Sequence, residues 1–218
     1  MELIRWILDL LLPRNCVGCH VKGVSLCKHC VDALPRAIGA PQEMEALFDY
    51  DHKVVRQAVW RLKYCGDRTL AGVFGQSMAD EFLEEHAQVL SRLPYGGRVL
   101  LIPVPSTRKR RFSRGYNQAQ LITEALAQSK SEVWESSDIL YKTRDNQRQT
   151  TIKDRIAREK NVSDIIAVKD NSVVANRICV VVDDVITTGA TMRACMSALK
   201  KSGASYVRGI AVAHREKM

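Results

Sequence analysis

The segment CVVVDDVITTGAT, Cys179–Thr191, constrains the fold more than any other stretch of the 218 residues. Cys179 to Val182 are apolar at every position and rich in β-branched side chains, the pattern of a strand covered on both faces. Such strands belong to parallel sheets flanked by helices, whose ligands bind at the carboxyl ends of the strands. Asp183 and Asp184 close the apolar run, so they are expected at that binding edge. Val185–Ala190 then forms a loop into a helix starting near Thr191. Small residues at Thr187, Thr188, Gly189 and Ala190 let backbone N–H groups crowd an anion, threonine hydroxyls add donors, and the helix dipole favours negative charge there. A magnesium-holding carboxylate pair of a nucleotide hydrolase is excluded, because the chain contains no G-x-x-x-x-G-K-[ST] loop. A plain strand–turn–helix capped by aspartate is the bland alternative.

The flanking sequence agrees with a strand–helix alternation from Leu47 onward. RVLLIPVP (Arg98–Pro105) is a continuous apolar run stopped by prolines, and YVRGIAVAH (Tyr206–His214) is another strand. Asn117–Gln128 has helical spacing at Ala119, Ile122, Ala125 and Leu126. Thr191–Gly203 carries Lys200 and Lys201 in its last turn and a closing glycine. The expected fold is α/β: an open, mostly parallel sheet flanked by helices, over residues 47–218.

Seven cysteines are present, and four fall in CVGCHVKGVSLCKHC with the spacing C-x2-C-x7-C-x2-C. Cys16, Cys19, Cys27 and Cys30 present two paired thiolates on tight turns, which suits a closed, structural zinc site. Gly18 is expected to supply the turn conformation of the first knuckle. Two disulfides are disfavoured without an export signal, and an iron–sulfur cluster is a weaker alternative. His20 and His29 sit beside complete pairs. The zinc module, with the helix before it, is assigned to residues 1–46. Cys179 and Cys195 read as core residues, and Cys65 as exposed in a loop.

Charge is uneven. The net charge is +9, and Arg98–Asn161 holds fourteen Lys/Arg against seven Asp/Glu, or +7 of that total. The run Arg108, Lys109, Arg110 and Arg111, with Arg114 beyond, has no acid among its neighbours and points to a polyanionic ligand. At the N-terminus, Leu3, Trp6, Ile7, Leu10 and Leu11 share a helical face. Arg5, Asp9 and Pro13 break the stretch well short of the roughly 20 residues that span a bilayer. The helix is expected to pack on its own protein, with membrane-surface contact as the alternative. Lacking an export signal, the chain is expected in the cytoplasm.

CVVVDDVITTGATM resembles the ribose-phosphate signature of type I phosphoribosyltransferases. Together with the four cysteines, the chain resembles the ComF (competence protein F) family, which is linked to natural transformation and DNA uptake. LKYCGDRTLA (Leu62–Ala71) is similar to the family's pyrophosphate segment. PVPSTRKRRFSRGYNQAQLI (Pro103–Ile122) is similar to its basic flexible loop and following helix, and REKNV (Arg158–Val162) to its Arg-x-x-Asn element. The likeness departs at Thr150, where the family has glutamine (here Gln149 lies one earlier), and at Ile165-Ile166, where an Ala-Phe pair is expected.

The resemblance implies phosphoribosyl pyrophosphate with magnesium as ligand. Asp183 and Asp184 would meet the ribose hydroxyls, directly or through metal-bound water, and stabilise positive charge developing at C1. Thr187, Thr188, Gly189, Ala190 and Thr191 would hold the 5′-phosphate. Lys63 and Tyr64 would lie at the pyrophosphate, with backbone amides assisting more than side chains. Ser106–Gly115 would close over the leaving group, contacting it through Arg114 or a member of Arg108–Arg111. The acceptor is unspecified; the cysteine module and Leu34–Tyr50 stand where a hood would recognise it. A second reading has the protein bind single-stranded DNA, with partners in the uptake machinery. The basic excess would meet the backbone there, and Trp60, Tyr64, Phe112 and Tyr116 would offer stacking faces.

Overall fold

The structure is a computed structural model that describes residues 14–85, 97–129, 131–143 and 166–216, with Leu83, Glu84, Glu85 and Lys109 described in their backbone alone. The expected N-terminal helix and the segment with Gln149, Thr150, Arg158, Asn161 and Ile165 lie outside these residues.

In chain order the strands are β1 (Met44–Asp49), β2 (Val99–Pro103), β3 (Trp134–Ser136), β4 (Leu140–Lys142), β5 (Ile166–Val168), β6 (Ile178–Ile186) and β7 (Tyr206–His214). The helices are α1 (Lys28–Asp32), α2 (Lys53–Tyr64), α3 (Thr69–Glu85), α4 (Arg108–Arg114), α5 (Gln118–Ser129) and α6 (Ala190–Lys201). Five strands form one sheet in the order β1-β7-β6-β2-β3, every pairing parallel, while β4 and β5 make a separate antiparallel pair. The boundary expected between residues 46 and 47 falls inside β1.

Alternation along the strands divides the core into two layers. Val99 and Leu101 of β2, with Ile178 and Val182 of β6, pack with Leu62 of α2, Phe74 and Met78 of α3, and Ile122 and Leu126 of α5. Leu100 and Ile102, with Cys179 and Val181, face the other way onto Met192, Cys195 and Leu199 of α6. Cys179 and Cys195 are both fully buried, as their setting in strand and helix suggested. Cys16, Val17, Leu26 and Leu34 belong to the first of these cores, so the cysteine segment packs directly on the helical layer.

Two expectations are corrected. Asp183 and Asp184 do not end their strand: the ladder continues through Val185 and Ile186, which pair with Ala213 and His214. The long apolar run of β7 supplies partners that far, so the loop shrinks to Thr187–Gly189 and α6 begins at Ala190. Ser106–Gly115 is not an irregular loop but contains α4. Thr107 Oγ1 accepts from the Arg110 amide at 3.2 Å, and Gly115 closes the helix at φ 76°. Arginine is a good helix former, so a capping threonine and a left-handed glycine suffice to order the run.

Candidate functional site

Strand order locates the binding crevice. The chain leaves β2 towards β3 on one side and leaves β6 towards β7 on the other, so the sheet's switch point lies between the carboxyl ends of β2 and β6. The Val104 amide donates to Val182 O at 2.9 Å, which brings Pro105 and Ser106 alongside the acid pair. Behind the pair, Gly189 caps α6 in the left-handed region at φ 71°. A Cβ on Gly189 would stand 2.9 Å from an Arg193 nitrogen and 3.0 Å from Met44 Sδ, so the loop is pressed against its supports. Arg193 donates to Thr188 O at 2.8 Å, and the Thr188 hydroxyl accepts from the Ala190 amide at 3.3 Å. Thr187 and Thr188 are exposed, open to an anion at the helix N-terminus.

The two acids have different neighbours. Asp184 is buried, and Lys63 Nζ from the last turn of α2 lies 3.0 Å from its Oδ1. Asp183 accepts from the Asp184 amide at 2.8 Å. Desolvation, then the Asp184 charge, push the Asp183 carboxyl up to about 7, against the Asp184 amide and the charges of Lys63 and Lys142. Lys63 of α2 thus contacts the pair directly, while Lys142 of β4 acts on Asp183 through its charge.

Arg114, at the end of α4, is fixed from two sides. It donates to Tyr64 Oη at 3.0 Å, with its guanidinium carbon 4.7 Å from the Tyr64 ring centroid. It also donates to Gln118 Oε1 at 3.1 Å. Tyr116 Oη donates to Leu62 O, and Arg68 stacks 4.7 Å from the Tyr116 ring centroid, so this aromatic is a packing residue. Gln118 Nε2 and Ser106 Oγ are buried without a hydrogen-bond partner among the described residues. Lys63 and Tyr64 are helical, so their amides are committed to the helix ladder. The side chains of Lys63 and Tyr64 meanwhile contact Asp184 and Arg114. The helix runs to Tyr64 because Val55, Ala58, Val59 and Leu62 bury one continuous face.

The four cysteines converge, every ligand atom within 4.8 Å of the others. Cys27 Sγ lies 3.7 Å from Cys16 Sγ and 3.6 Å from Cys19 Sγ, far beyond the roughly 2.05 Å of a disulfide. A four-thiolate tetrahedron with metal–sulfur bonds of about 2.3 Å has edges of about 3.8 Å, so the spacing fits a metal ion. Burial acts to raise the Cys16 thiol, but amides of Cys19, Cys27 and Gly18 overrule it and hold the group near 6. Desolvation and the three neighbouring sulfurs push Cys30 up to about 12, a cost that a dication would offset. Gly18 is needed for a different reason than expected. Its φ is ordinary, but a Cβ there would lie 2.6 Å from Cys30 Sγ. The left-handed residue of the knuckle is His20, at φ 62°.

With this geometry in hand, the Phosphoribosyl transferase domain matches residues 104–217, just over half of the chain. The chain belongs to the phosphoribosyl transferase domain family. Relatives include "DNA utilization protein YhgH" of Shigella flexneri, 29% identical over 150 residues, covering 69% of this chain and 63% of that protein. "Competence protein F" of Haemophilus influenzae is 34% identical over 110 residues, covering 50% of this chain and 47% of that protein. "Competence protein ComFC" of Bacillus subtilis is 25% identical over 150 residues, covering 69% and 55%. The matched region thus spans about half to two-thirds of these relatives' length, and the resemblance to competence protein F stands.

Lys63 and Tyr64, which precede the matched region, and Arg114 within it are joined by contacts to Asp184 or to each other: Lys63 to Asp184, and Tyr64 to Arg114. Arg108, Arg110 and Arg111 instead lie exposed on α4. Four polar residues escaped sequence reasoning. Gln118 and Arg193 brace Arg114 and Thr188, and each stands four residues from a recognised motif position, Arg114 and Gly189. Ser25 and Asp67 join segments far apart in the chain; for that contact no local signal exists.

Proposed function

We propose that the protein binds phosphoribosyl pyrophosphate with magnesium at the β2/β6 crevice and transfers the phosphoribosyl group to an acceptor, in the service of DNA uptake. The observation that carries this reading is the Lys63–Asp184 contact. It joins the segment resembling a pyrophosphate site to the acid pair of the ribose-phosphate signature across the switch point. The names of the relatives support the link to competence.

In this reading Thr187–Thr191 receives the 5′-phosphate, and Asp183 and Asp184 orient the ribose hydroxyls. As pyrophosphate leaves C1, the acids stabilise the positive charge that develops on the sugar. Arg114, held ready by Tyr64 and Gln118, meets the leaving anion with its orientation already set. The carboxylates are hard oxygen donors that suit magnesium beside the ribose, and the bound ion would neutralise charge on the pyrophosphate. Pyrophosphate release against a panel of amines and bases tests the reaction. Wild-type protein should release it with at least one acceptor, and Asp183→Asn/Asp184→Asn should not. Silence with every acceptor would remove the catalytic part of the reading.

The four-thiolate cluster is assigned to structural zinc: its sulfur spacing supports that choice, and four thiolates complete a tetrahedron with no position left open for catalysis. Cys16→Ser should lose the metal. Four thiols kept apart as free cysteines suit a reducing compartment, so the cytoplasm is the proposed location. Among the described residues no helix is long and apolar enough to cross a membrane.

A second reading, single-stranded DNA binding, is favoured by one observation. Trp60, Tyr64 and Phe112 are 52%, 61% and 95% exposed, and Phe112 shares α4 with the exposed arginines. Bases would stack on these rings while Arg108, Arg110 and Arg111 meet phosphates. Affinity for a single strand should fall with salt, and more gently once Arg108–Arg111 are replaced by serine. An affinity indifferent to both would remove this role for α4.

A further inference from the structure

Asp67 lies just beyond the end of α2, in the turn that follows Lys63 and Tyr64, with its side chain 6% exposed. Two parts of the molecule share its carboxylate. Oδ1 accepts from Ser25 Oγ at 2.8 Å and from Thr69 Oγ1 at 2.6 Å, and those two hydroxyl oxygens are themselves 2.9 Å apart. Oδ2 lies 3.2 Å from an Arg61 guanidinium nitrogen, while the other arm of Arg61 donates to Asn15 O at 2.9 Å. Asn15 immediately precedes Cys16, and Ser25 stands two residues before Cys27. The same short backbone positions the sulfurs: Val17 N donates to Ser25 O at 2.9 Å, and Cys27 N to Cys16 Sγ at 3.4 Å.

We propose that Asp67 is a positioning residue that couples the metal module to the anion-binding turn, so that metal occupancy and pyrophosphate affinity raise one another. This rests on the reading that the Lys63–Arg68 segment faces the pyrophosphate. The physical argument is local. Four sulfurs drawn to one ion hold Asn15 and Ser25 where they satisfy Arg61 and Asp67. Without the ion the knuckles relax, and a nearly buried carboxylate loses donors that water cannot replace, so the turn must rearrange to resolvate it. Lys63 and Tyr64 close the helix that feeds this turn, and they contact Asp184 and Arg114. Linkage then requires the reverse effect with equal magnitude.

The test follows zinc transfer from the folded holoprotein to a chromogenic zinc chelator that ignores magnesium, without and with magnesium pyrophosphate. Wild-type protein should need about tenfold more chelator for half-transfer when pyrophosphate is bound, a coupling of ordinary size. Ser25→Ala should retain one zinc per chain yet lose most of that protection. Lys28→Ala, which breaks the exposed Lys28–Asp32 pair of the same module, should keep it. Asp67→Asn is the second variant: it preserves an acceptor for Ser25 but removes the ion pair with Arg61, and it should lose part of the protection. Calorimetry on the holoprotein separates two failures. If magnesium pyrophosphate does not bind, the parent reading of the site fails and the coupling falls with it. If it binds but leaves wild-type zinc transfer unchanged, or protects Ser25→Ala as well as wild type, the coupling alone is overturned.

Discussion

Lys63 Nζ stands 3.0 Å from Asp184 Oδ1, with the two side chains 19% and 11% exposed. The lysine is the counter-ion of an acid that, in the proposed function, a ribose hydroxyl or a cation also uses. A ligand therefore displaces an ammonium, and that ammonium sits at the segment assigned to pyrophosphate, where it can re-pair with a phosphate oxygen. Lys63→Met removes the ammonium from both roles at once. We expect phosphoribosyl pyrophosphate affinity to fall about tenfold or more, and stability to fall by about 1–3 kcal/mol, because Asp184 is left buried without a charge partner. Lys63→Met/Asp184→Asn should recover the stability but not the affinity. Denaturant unfolding and calorimetry read the two effects, and unchanged affinity in the single variant would discard the proposed re-pairing.

Asp183 supplies a pH dependence with a definite sign. Burial and the Asp184 charge push its carboxyl up to about 7, above the ordinary value near 4 of an unfolded chain. A raised carboxyl favours the folded state while it keeps its proton. Its contribution is therefore complete below the ordinary value and is lost as pH climbs through about 7. Ligand binding runs the other way, because orienting a ribose hydroxyl by accepting its proton calls for the carboxylate. Affinity for phosphoribosyl pyrophosphate should rise across that pH, and Asp183→Asn should bind weakly with a flat profile. Equal slopes in the two proteins would show that another group titrates.

The β6–α6 unit is legible in the sequence because both its constraints are local. A strand with no exposed face must be all apolar, and a tight turn pressed against its supports must lack bulk, so each leaves its mark residue by residue. The four cysteines are legible for the same reason. The α4 segment is not, because its run of charge masks the capping Thr107 and Gly115 that bracket it. The course of α2 through Lys63 and Tyr64 is hidden because Gly66 suggests a loop, while the buried stripe at Val55, Ala58, Val59 and Leu62 carries the helix further. The Ser25–Asp67 contact spans 42 positions and obeys no periodicity. Only the packing of the cysteine segment on the helical layer creates it.

The close approach of α3 and α5 offers a stability test in which two effects compete. Alanine at Gly75 would improve helix propensity by about 1 kcal/mol. Its Cβ would, however, stand 2.7 Å from Ala125 Cβ and 2.8 Å from the Leu126 nitrogen, backbone that cannot swing aside. Overpacking of that kind typically costs about 1–3 kcal/mol, so we expect net destabilisation, read as a lower denaturation midpoint. A stabilised Gly75→Ala would mean that the helices are further apart than described.

Gly18→Ala separates packing from backbone strain inside the metal module. Gly18 has an ordinary φ, so alanine is acceptable to the backbone, yet its Cβ would meet Cys30 Sγ at 2.6 Å and Cys30 Cβ at 3.0 Å. Gly23, in the same module, is the reverse case: φ is 93° and nothing lies within 4 Å of an added Cβ. Gly23→Ala should cost about 1–2 kcal/mol in backbone strain while leaving the thiolate geometry intact. Gly18→Ala should push one sulfur off its vertex and weaken zinc retention about tenfold or more, as loss of close support around a metal site commonly does. Zinc stoichiometry after graded chelator challenge distinguishes the two variants. If Gly18→Ala holds zinc as tightly as wild type and Gly23→Ala does not, the turn conformation, rather than the room left for Cys30, governs this site.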